Sequence, residues 1–185
     1  MKNKKQILRL KGSTALFIDA ANMFYSQKTI GFKVDYKKLY QYLDEVFHLR
    51  LAFYYIGFDP DNQEQVKFLD KLETFGYRTF RKPIKKINNK GLTLDKANVD
   101  VELAVDSVLN LKRFKNFILA SGDSDFAYLL KVLKKESKRV FVISARGHIA
   151  KELVREAEKY ISLESLKVEI ALNKKSPRTR RGKFS

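Results

Sequence analysis

The stretch Ser121-Gly122-Asp123-Ser124-Asp125-Phe126 separates two different hydrophobic patterns. Residues 117–120 before it form a short apolar run, as expected for a buried strand, and residues 128–133 after it have the apolar spacing of a helix. Two carboxylates therefore lie where a strand ends and a helix begins. Open α/β sheets bind their ligands at that edge. The stretch thus predicts an α/β fold with an acidic site at the carboxyl ends of its strands.

A second acidic strand end lies near the start of the chain. Apolar residues 14–18 run into Asp19, and Asn22 follows three residues later. Adjacent parallel strands are about 4.8 Å apart, so carboxylates at the ends of two neighbouring strands can share one ion. Between the two strand ends, Asp100 falls on the first turn of a predicted helix, where the helix dipole favours a negative charge. These positions together predict one shared cation site.

The remaining chain alternates between strand and helix patterns. Strands are predicted at residues 14–18, 49–58, 77–80, 116–120 and 139–144, and helices at 34–47, 62–75, 97–111, 125–135 and 148–160. Residues 81–96 are predicted as a loop, or a loop around a short hairpin, and a last short strand is predicted within 161–172. This alternation indicates parallel strands joined by crossover helices that cover both faces of the sheet.

The length and composition indicate one domain with two basic extensions. We divide the 185 residues into an arm, 1–11, a domain, 12–172, and a tail, 173–185, which is predicted to be disordered. The chain has no cysteine, which excludes disulfides and thiolate metal sites and fits a cytoplasmic location. No apolar run approaches the roughly 18 residues of a membrane span, so no membrane association is expected.

The net charge of +17 is concentrated at the two ends of the chain. The arm carries five cations and the tail six, with no acidic residue in either, which leaves +6 for the domain. A basic body with two basic ends predicts a polyanionic partner, most often a nucleic acid. For the ends alone, a purely solubilising role is an equally good interpretation.

Clustered carboxylates raise one another's pKa unless a cation lies between them. Oxygen ligands completed by water suit Mg²⁺ or Mn²⁺, and the chemistry then implied is attack of water on a phosphodiester. Each acidic residue also has an ordinary structural interpretation: Asp125 as a helix N-cap, Asp19 as a turn residue and Asp100 as a first-turn charge. Asp123 fits such a role less well, because Gly122 before it indicates a tight turn of the backbone.

Three motifs together resemble the NYN domain, in particular its LabA-like branch, which belongs to the PIN-like nuclease superfamily. They are Ile18-Asp19-Ala20-Ala21-Asn22, Lys96-x-x-x-Asp100-Val101 and the stretch 121–126, and the resemblance covers roughly residues 14–165. It implies a Rossmann-like PIN-type fold of three layers with a mostly parallel central sheet. It also implies an Mg²⁺- or Mn²⁺-dependent ribonuclease site, with RNA a better expectation than DNA. PIN-like relatives often dimerise, so a homodimer is left open.

The resemblance also assigns roles to single residues. The acidic ligands would be Asp19, Asp100, Asp123 and Asp125. The side chains that orient substrate or water would be Asn22 and Ser121, and Lys96 would face phosphate. Asp106 matches a recurrent acidic position of the family, but on an ideal helix it points away from Asp100.

Basic and aromatic residues near these motifs suggest where a nucleic acid would lie. Phosphate contacts are expected from a set of cations in or near the loop before Asp100 and after the strand at 139–144: Arg81, Lys82, Lys85, Lys86, Lys90 and Arg146. The ordinary interpretation of such a charged loop is a solvated surface. A base could stack on Phe24, Tyr25 or Phe32, although aromatics at this spacing are more often core, and we predict a core position for Phe24.

The helix over 97–111 carries Val101, Ala104, Val105 and Val108 on one stripe.

Three functions remain open from the sequence. The first is a metal-dependent ribonuclease, and the second is a non-catalytic, regulatory module that binds nucleic acid with the same fold. The third, a phosphatase or small-nucleotide hydrolase, is less favoured, because Asp19 lacks a second aspartate two residues later and no glycine-rich phosphate loop is present.

Overall fold

The computed structural model describes residues 11–89 and 92–172, and over residues 85–89 and 92–96 it describes the backbone alone. The predicted arm up to residue 10 and the predicted tail lie outside the described residues. So do Lys90 and the side chains of Lys85, Lys86 and Lys96.

Strands and helices alternate along most of the chain. The strands are β1 Thr14–Asp19, β2 Leu49–Phe58, β3 Arg78–Pro83, β4 Lys85–Asn89, β5 Leu92–Lys96, β6 Asn116–Ala120, β7 Arg139–Ser144 and β8 Lys159–Ser162. The α-helices are α1 Ala20–Ile30, α2 Tyr36–Phe47, α3 Gln63–Thr74, α4 Asp100–Leu109, α5 Ala127–Lys135, α6 Lys151–Glu156 and α7 Lys167–Ile170. Short 3-10 turns occupy Leu111–Arg113, Ser124–Phe126 and Leu163–Leu166.

Six of the strands form one parallel sheet in the order β3-β2-β1-β6-β7-β8. The chain therefore moves outward from β1 through β2 to β3, and then returns to the other side of β1 with β6. A change of direction of this kind opens a crevice at the carboxyl ends of the two central strands, here β1 and β6. The predicted α/β fold with a parallel central sheet is confirmed.

The central strand β1 is buried on both faces, and its side chains alternate between two cores. Leu16 and Ile18 face the core under α1, α2, α3 and α7. Phe17 faces the core under α4, α5 and α6, where its ring lies 4.8 Å from that of Phe53 and 5.0 Å from that of Phe117. Helices therefore cover both faces of the sheet and complete three layers.

Several elements differ from their predicted bounds. Helix α1 was not predicted, because its buried side consists of small or polar residues and one methionine, Ala20, Met23 and Ser26, which give little apolar periodicity. The predicted helix over 148–160 is shortened to α6, because the amide of Ala150 donates to the carbonyl of Gly122 and that of Glu158 to Val140. The hairpin considered for residues 81–96 is present as β4 and β5.

The core position predicted for Phe24 was wrong, and the apolar stripe of α4 lies on the surface. Phe24 is 54% exposed rather than part of the core. Helix α4 packs through Leu103 and Ser107, so the predicted stripe that includes Val101 and Val105 faces outward, and Val101 is 71% exposed. In each helix a small serine, Ser26 or Ser107, occupies a buried position, and larger apolar residues face outward.

Candidate metal centre

Asp19 is the last residue of β1 and lies at the bottom of the crevice, where it is buried. Its Oδ1 accepts a hydrogen bond from the backbone N–H of Asn22 at 3.1 Å and thereby caps α1. Its Oδ2 accepts a hydrogen bond from the Ser121 hydroxyl at 3.0 Å. Both oxygens are therefore held in place by neighbouring residues of the first and third motifs.

Asp123 and Asp125 lie in the loop that follows β6. The Oδ1 of Asp123 accepts from the backbone N–H of Asp125 at 3.0 Å, so Asp123 caps the 3-10 turn that precedes α5. The capping role that the sequence suggested for Asp125 belongs to Asp123, since the 3-10 turn begins at Ser124, one residue before the predicted helix, and takes Asp123 as its N-cap. The carboxylate of Asp125 is consequently released from capping.

Asp100 lies beside Asp123 and Asp125 but belongs to a different element, α4. It is the first residue of α4, and its backbone N–H donates to Oδ1 of Asn98 at 2.8 Å. The segment before it packs closely on β2: a Cβ at Gly57 would lie 2.7 Å from the Cβ of Ala97. The absence of a side chain at Gly57 therefore lets the start of α4 approach the carboxyl edge of the sheet.

One carboxylate oxygen from each of Asp100, Asp123 and Asp125 lies within 4.8 Å of the other two. Ligands on opposite sides of one Mg²⁺ are about 4 Å apart, twice the usual metal–oxygen bond. Three oxygen ligands at this spacing, partly open to solvent, fit a hard divalent cation that keeps several waters. The group of three carboxylates is therefore a candidate site for a divalent cation.

The carboxylates perturb one another. Burial raises the pKa of Asp19, the hydrogen bonds from Asn22 and Ser121 lower it, and the charges of Asp100 and Asp123 raise it further. Burial also raises the pKa of Asp100, and Asp123 and Asp125 add to the rise. Asp19 thus interacts electrostatically with the other acidic residues although it stands apart from the close group of three. A divalent cation among them would offset this repulsion.

Asn22 and Ser121 connect the two central strands at the crevice. The Ser121 hydroxyl donates to Asp19 and accepts from the backbone N–H of Asp123 at 3.2 Å. The Oδ1 of Asn22 accepts from the backbone N–H of Gly122 at 2.9 Å. Both side chains, which the resemblance assigned to substrate or water, thus position the acidic loop against β1.

Gly122 is enclosed by the loop that follows β7. A Cβ at this position would lie 1.6 Å from the carbonyl oxygen of His148, and the carbonyl of Gly122 accepts from the backbone N–H of Ala150 at 3.0 Å. The glycine is therefore required by close packing of two backbones, which the sequence suggested only as a tight turn.

Among the described side chains predicted to contact phosphate, Arg81 and Lys82 form ion pairs within the protein and Arg146 is exposed to solvent. The guanidinium of Arg81 binds Asp70 at 2.8 Å and Glu73 at 2.9 Å, on α3. The Nζ of Lys82 lies 2.6 Å from Oε1 of Glu102 and 2.7 Å from the carbonyl of Asn98, and so ties β3 to the start of α4. Arg146 is exposed near the start of the loop after β7.

Asp106 faces the sheet rather than the group of three carboxylates. Its Oδ2 accepts from the hydroxyl of Tyr55 on β2 at 2.9 Å. Burial and this carboxylate raise the pKa of Tyr55. The structure therefore separates Asp106 from the acidic residues that it brings together, as the geometry of an ideal helix predicted.

An apolar groove between α4 and α5 opens beside the carboxylates and was not predicted. Its volume is about 580 Å³. Its apolar walls include Val101, Ala104, Val105, Tyr128, Leu129 and Val132. Asp100 and Asp125 lie along it, so the groove is continuous with the candidate metal centre.

The NYN domain family matches residues 13–164 of this chain. The chain belongs to the NYN domain family. The protein from Synechococcus elongatus named low amplitude and bright protein LabA is 31% identical to this NYN domain over 158 residues, which cover 83% of this chain and 84% of that protein. This similarity supports the LabA-like branch.

The fold recurs in a crystal structure of a protein of unknown function from Vibrio parahaemolyticus RIMD 2210633. The TM-score is 0.74 at 20% sequence identity, and the match covers 86% of this chain and 96% of that chain. At this identity the likeness concerns the fold alone. Among the described helices of this NYN domain, none has both the length and the hydropathy that a membrane crossing requires.

Replacing Asp100 by Asn should stabilise the metal-free protein and weaken its response to metal. The folded pKa of Asp100 is raised, so its contribution to stability is present below the ordinary value of 3.8 and is lost as the pH rises through the folded pKa. At pH 7 in EDTA, Asp100→Asn should therefore have the higher melting temperature. Added Mn²⁺ should raise the melting temperature of the wild type more than that of the variant.

The matched control for this experiment is Asp106→Asn, which keeps an acceptor for Tyr55 and lies outside the group of three. It should show the same Mn²⁺ response as the wild type. A full Mn²⁺ response in Asp100→Asn would contradict the assignment of Asp100 to the centre.

Replacing Gly122 by Ala should destabilise the fold, because the new Cβ overlaps the carbonyl of His148. We expect the free energy of unfolding to fall by about 1–3 kcal/mol or more in urea denaturation. Ser124→Ala, an exposed position in the same loop, should change it by less than about 0.5 kcal/mol. Equal stability of the two variants would contradict this prediction, because it would show that the loop after β7 moves to accommodate the new Cβ at no cost in free energy.

Proposed function

We propose that this NYN domain is a metal-dependent ribonuclease that hydrolyses RNA phosphodiesters with Mg²⁺ or Mn²⁺. The observation that carries the proposal is the group of three carboxylate oxygens within 4.8 Å of one another, at the crevice beside β1. The family supports a nuclease, and the net charge of +17 supports a polyanionic substrate. The lack of cysteine fits a cytoplasmic location, where proteins rarely depend on disulfides.

Within this proposal, Asp100, Asp123 and Asp125 hold the ion directly. Asp19, which is buried beside them, adds its negative charge to theirs and caps the amino end of α1. When bound, a divalent ion neutralises charge on the phosphate and lowers the pKa of water. All four carboxylates come from one chain, so the activity does not require the homodimer that the resemblance left open.

Ser121 and Asn22 act in this proposal as positioning residues. Ser121 joins Asp19 to the backbone of Asp123, and Asn22 joins α1 to the backbone of Gly122. These hydrogen bonds keep the carboxyl ends of β1 and β6 at a constant separation when a cation or a phosphate binds beside them. Lys96 and Arg146 would add phosphate contacts at the rim.

The central experiment compares cleavage of labelled single-stranded RNA by the wild type with cleavage by Asp19→Asn and Asp123→Asn, in Mg²⁺ and in Mn²⁺. We expect each substitution to lower the rate by about 100-fold, because each removes a charge that holds or surrounds the ion. EDTA should abolish cleavage, and Asp106→Asn should retain it. Equal rates for the wild type and both variants would contradict the proposal.

A second function, a non-catalytic module that binds and regulates nucleic acid, is favoured by one observation. Both oxygens of Asp19 accept hydrogen bonds from the protein itself, so this carboxylate is satisfied without an ion. Such a module should bind RNA in a salt-dependent manner. Its binding should survive Asp123→Asn, with no turnover by the wild type in either metal.

A further inference from the structure

Helix α1, which begins at the Asp19 cap, carries two large aromatic side chains on the surface. Phe24 is 54% exposed and Tyr25 is 58% exposed. Their rings meet edge to face, with centroids 5.6 Å apart. Met23 and Ser26, on the other side of the helix, supply its contact with the sheet. The fold therefore does not need the two rings for its core.

A cation lies over both rings. The Nζ of Lys28 is 4.3 Å from the centroid of Phe24 and 5.3 Å from that of Tyr25. A single exposed aromatic is ordinary on a protein surface. Two adjacent rings with an ammonium group above them combine faces for stacking with a charge for phosphate, which is the chemistry that single-stranded nucleic acid requires.

The position of the two rings and Lys28 on α1 links them to the candidate metal centre. The helix begins at the Asp19 cap, and Asn22, on its first turn, holds the backbone of Gly122. Tyr25 follows Asn22 by three residues, so the two lie on adjacent turns of one side of the helix. From Asp19 to Tyr25 the helix advances by about 9 Å, a distance that a nucleotide can bridge.

We propose that Phe24, Tyr25 and Lys28 form a stacking platform for the bases of single-stranded RNA. One or two unstacked bases displace the Nζ of Lys28 from the ring faces that it covers, and its ammonium group then contacts the adjoining phosphate. The strand then leads its next phosphodiester to the carboxylates. This role deepens the proposed ribonuclease function, since it restricts the substrate to strands whose bases are free. In duplex RNA the base faces are already covered by neighbouring bases, and the platform has nothing to hold.

The test measures binding of fluorescein-labelled RNA to the full chain by fluorescence anisotropy in Ca²⁺. Three ligands of equal length are compared: a single strand, the same strand without bases, and a duplex. The double variant Phe24→Leu/Tyr25→Leu keeps apolar bulk but removes the ring faces. We expect it to bind the single strand about 10- to 100-fold more weakly than the wild type. Its binding of the abasic strand and of the duplex should be unchanged.

Two variants accompany the double variant. Phe24→Trp/Tyr25→Trp should restore the preference for the single strand over the abasic strand, because it restores the ring faces. Phe75→Leu is the matched control, because that ring also lies near two ammonium groups, Lys37 at 5.9 Å and Lys71 at 6.0 Å, but belongs to the C-cap of α3 rather than to α1. It should bind all three ligands like the wild type.

Two results would overturn the platform. One is unchanged binding of the single strand by the Leu double variant, or an equal loss for all three ligands. The other is a selective loss of single-strand binding in Tyr128→Leu but not in the double variant, which would move the bases to the groove between α4 and α5.

Hydrolysis of bis(p-nitrophenyl) phosphate in Mn²⁺ separates this inference from the ribonuclease proposal. This small diester needs the carboxylates but not the platform, so the Leu double variant should hydrolyse it at the wild-type rate. If the wild type hydrolyses neither this diester nor RNA, the ribonuclease proposal fails. The binding comparison still decides the platform, since it needs no turnover.

Discussion

The mutual repulsion of carboxylates at one edge of the sheet is the constraint on which the rest of this site depends. Four negative side chains are brought together where β1 and β6 end, and no described basic side chain forms an ion pair with any of them. Hydrogen bonds from Ser121 and from backbone N–H groups, together with the packing of the loop after β7 on Gly122, keep them in place. The fold thus maintains an arrangement that is electrostatically unfavourable without a cation, as functional sites often are.

The parts of this arrangement that the sequence predicted are those that depend on short-range patterns. Apolar runs of residues 14–18 and 116–120 predicted two buried strands, and the acidic residues at their ends predicted a common edge. In the structure the two strands are neighbours, with Ile18 opposite Ala120. The α/β fold and the membership of the family were predicted for the same reason, because strand ends and motif spacing are local features of the chain.

The features that the sequence did not predict depend on contacts between different helices and strands. Helix α1 has little apolar periodicity, because its capping aspartate and its contact with Gly122 replace part of a hydrophobic stripe. Helix α4 packs through Leu103 and Ser107, so Val101 faces outward although its spacing suits a core. The partners of Arg81 and Lys82 lie on α3 and α4, 8 to 20 residues away, and charge alone does not identify them. Packing across elements, rather than periodicity within one element, decides all of these cases.

The enclosure of Gly122 has a consequence for comparing members of the family. The main chain at His148 occupies the volume that any side chain at position 122 would need. A homologous chain with a larger residue there must therefore carry its β7–α6 connection along another course. The residue type at this one position then reports, from sequence alone, whether a given homologue shares the loop architecture around the acidic crevice.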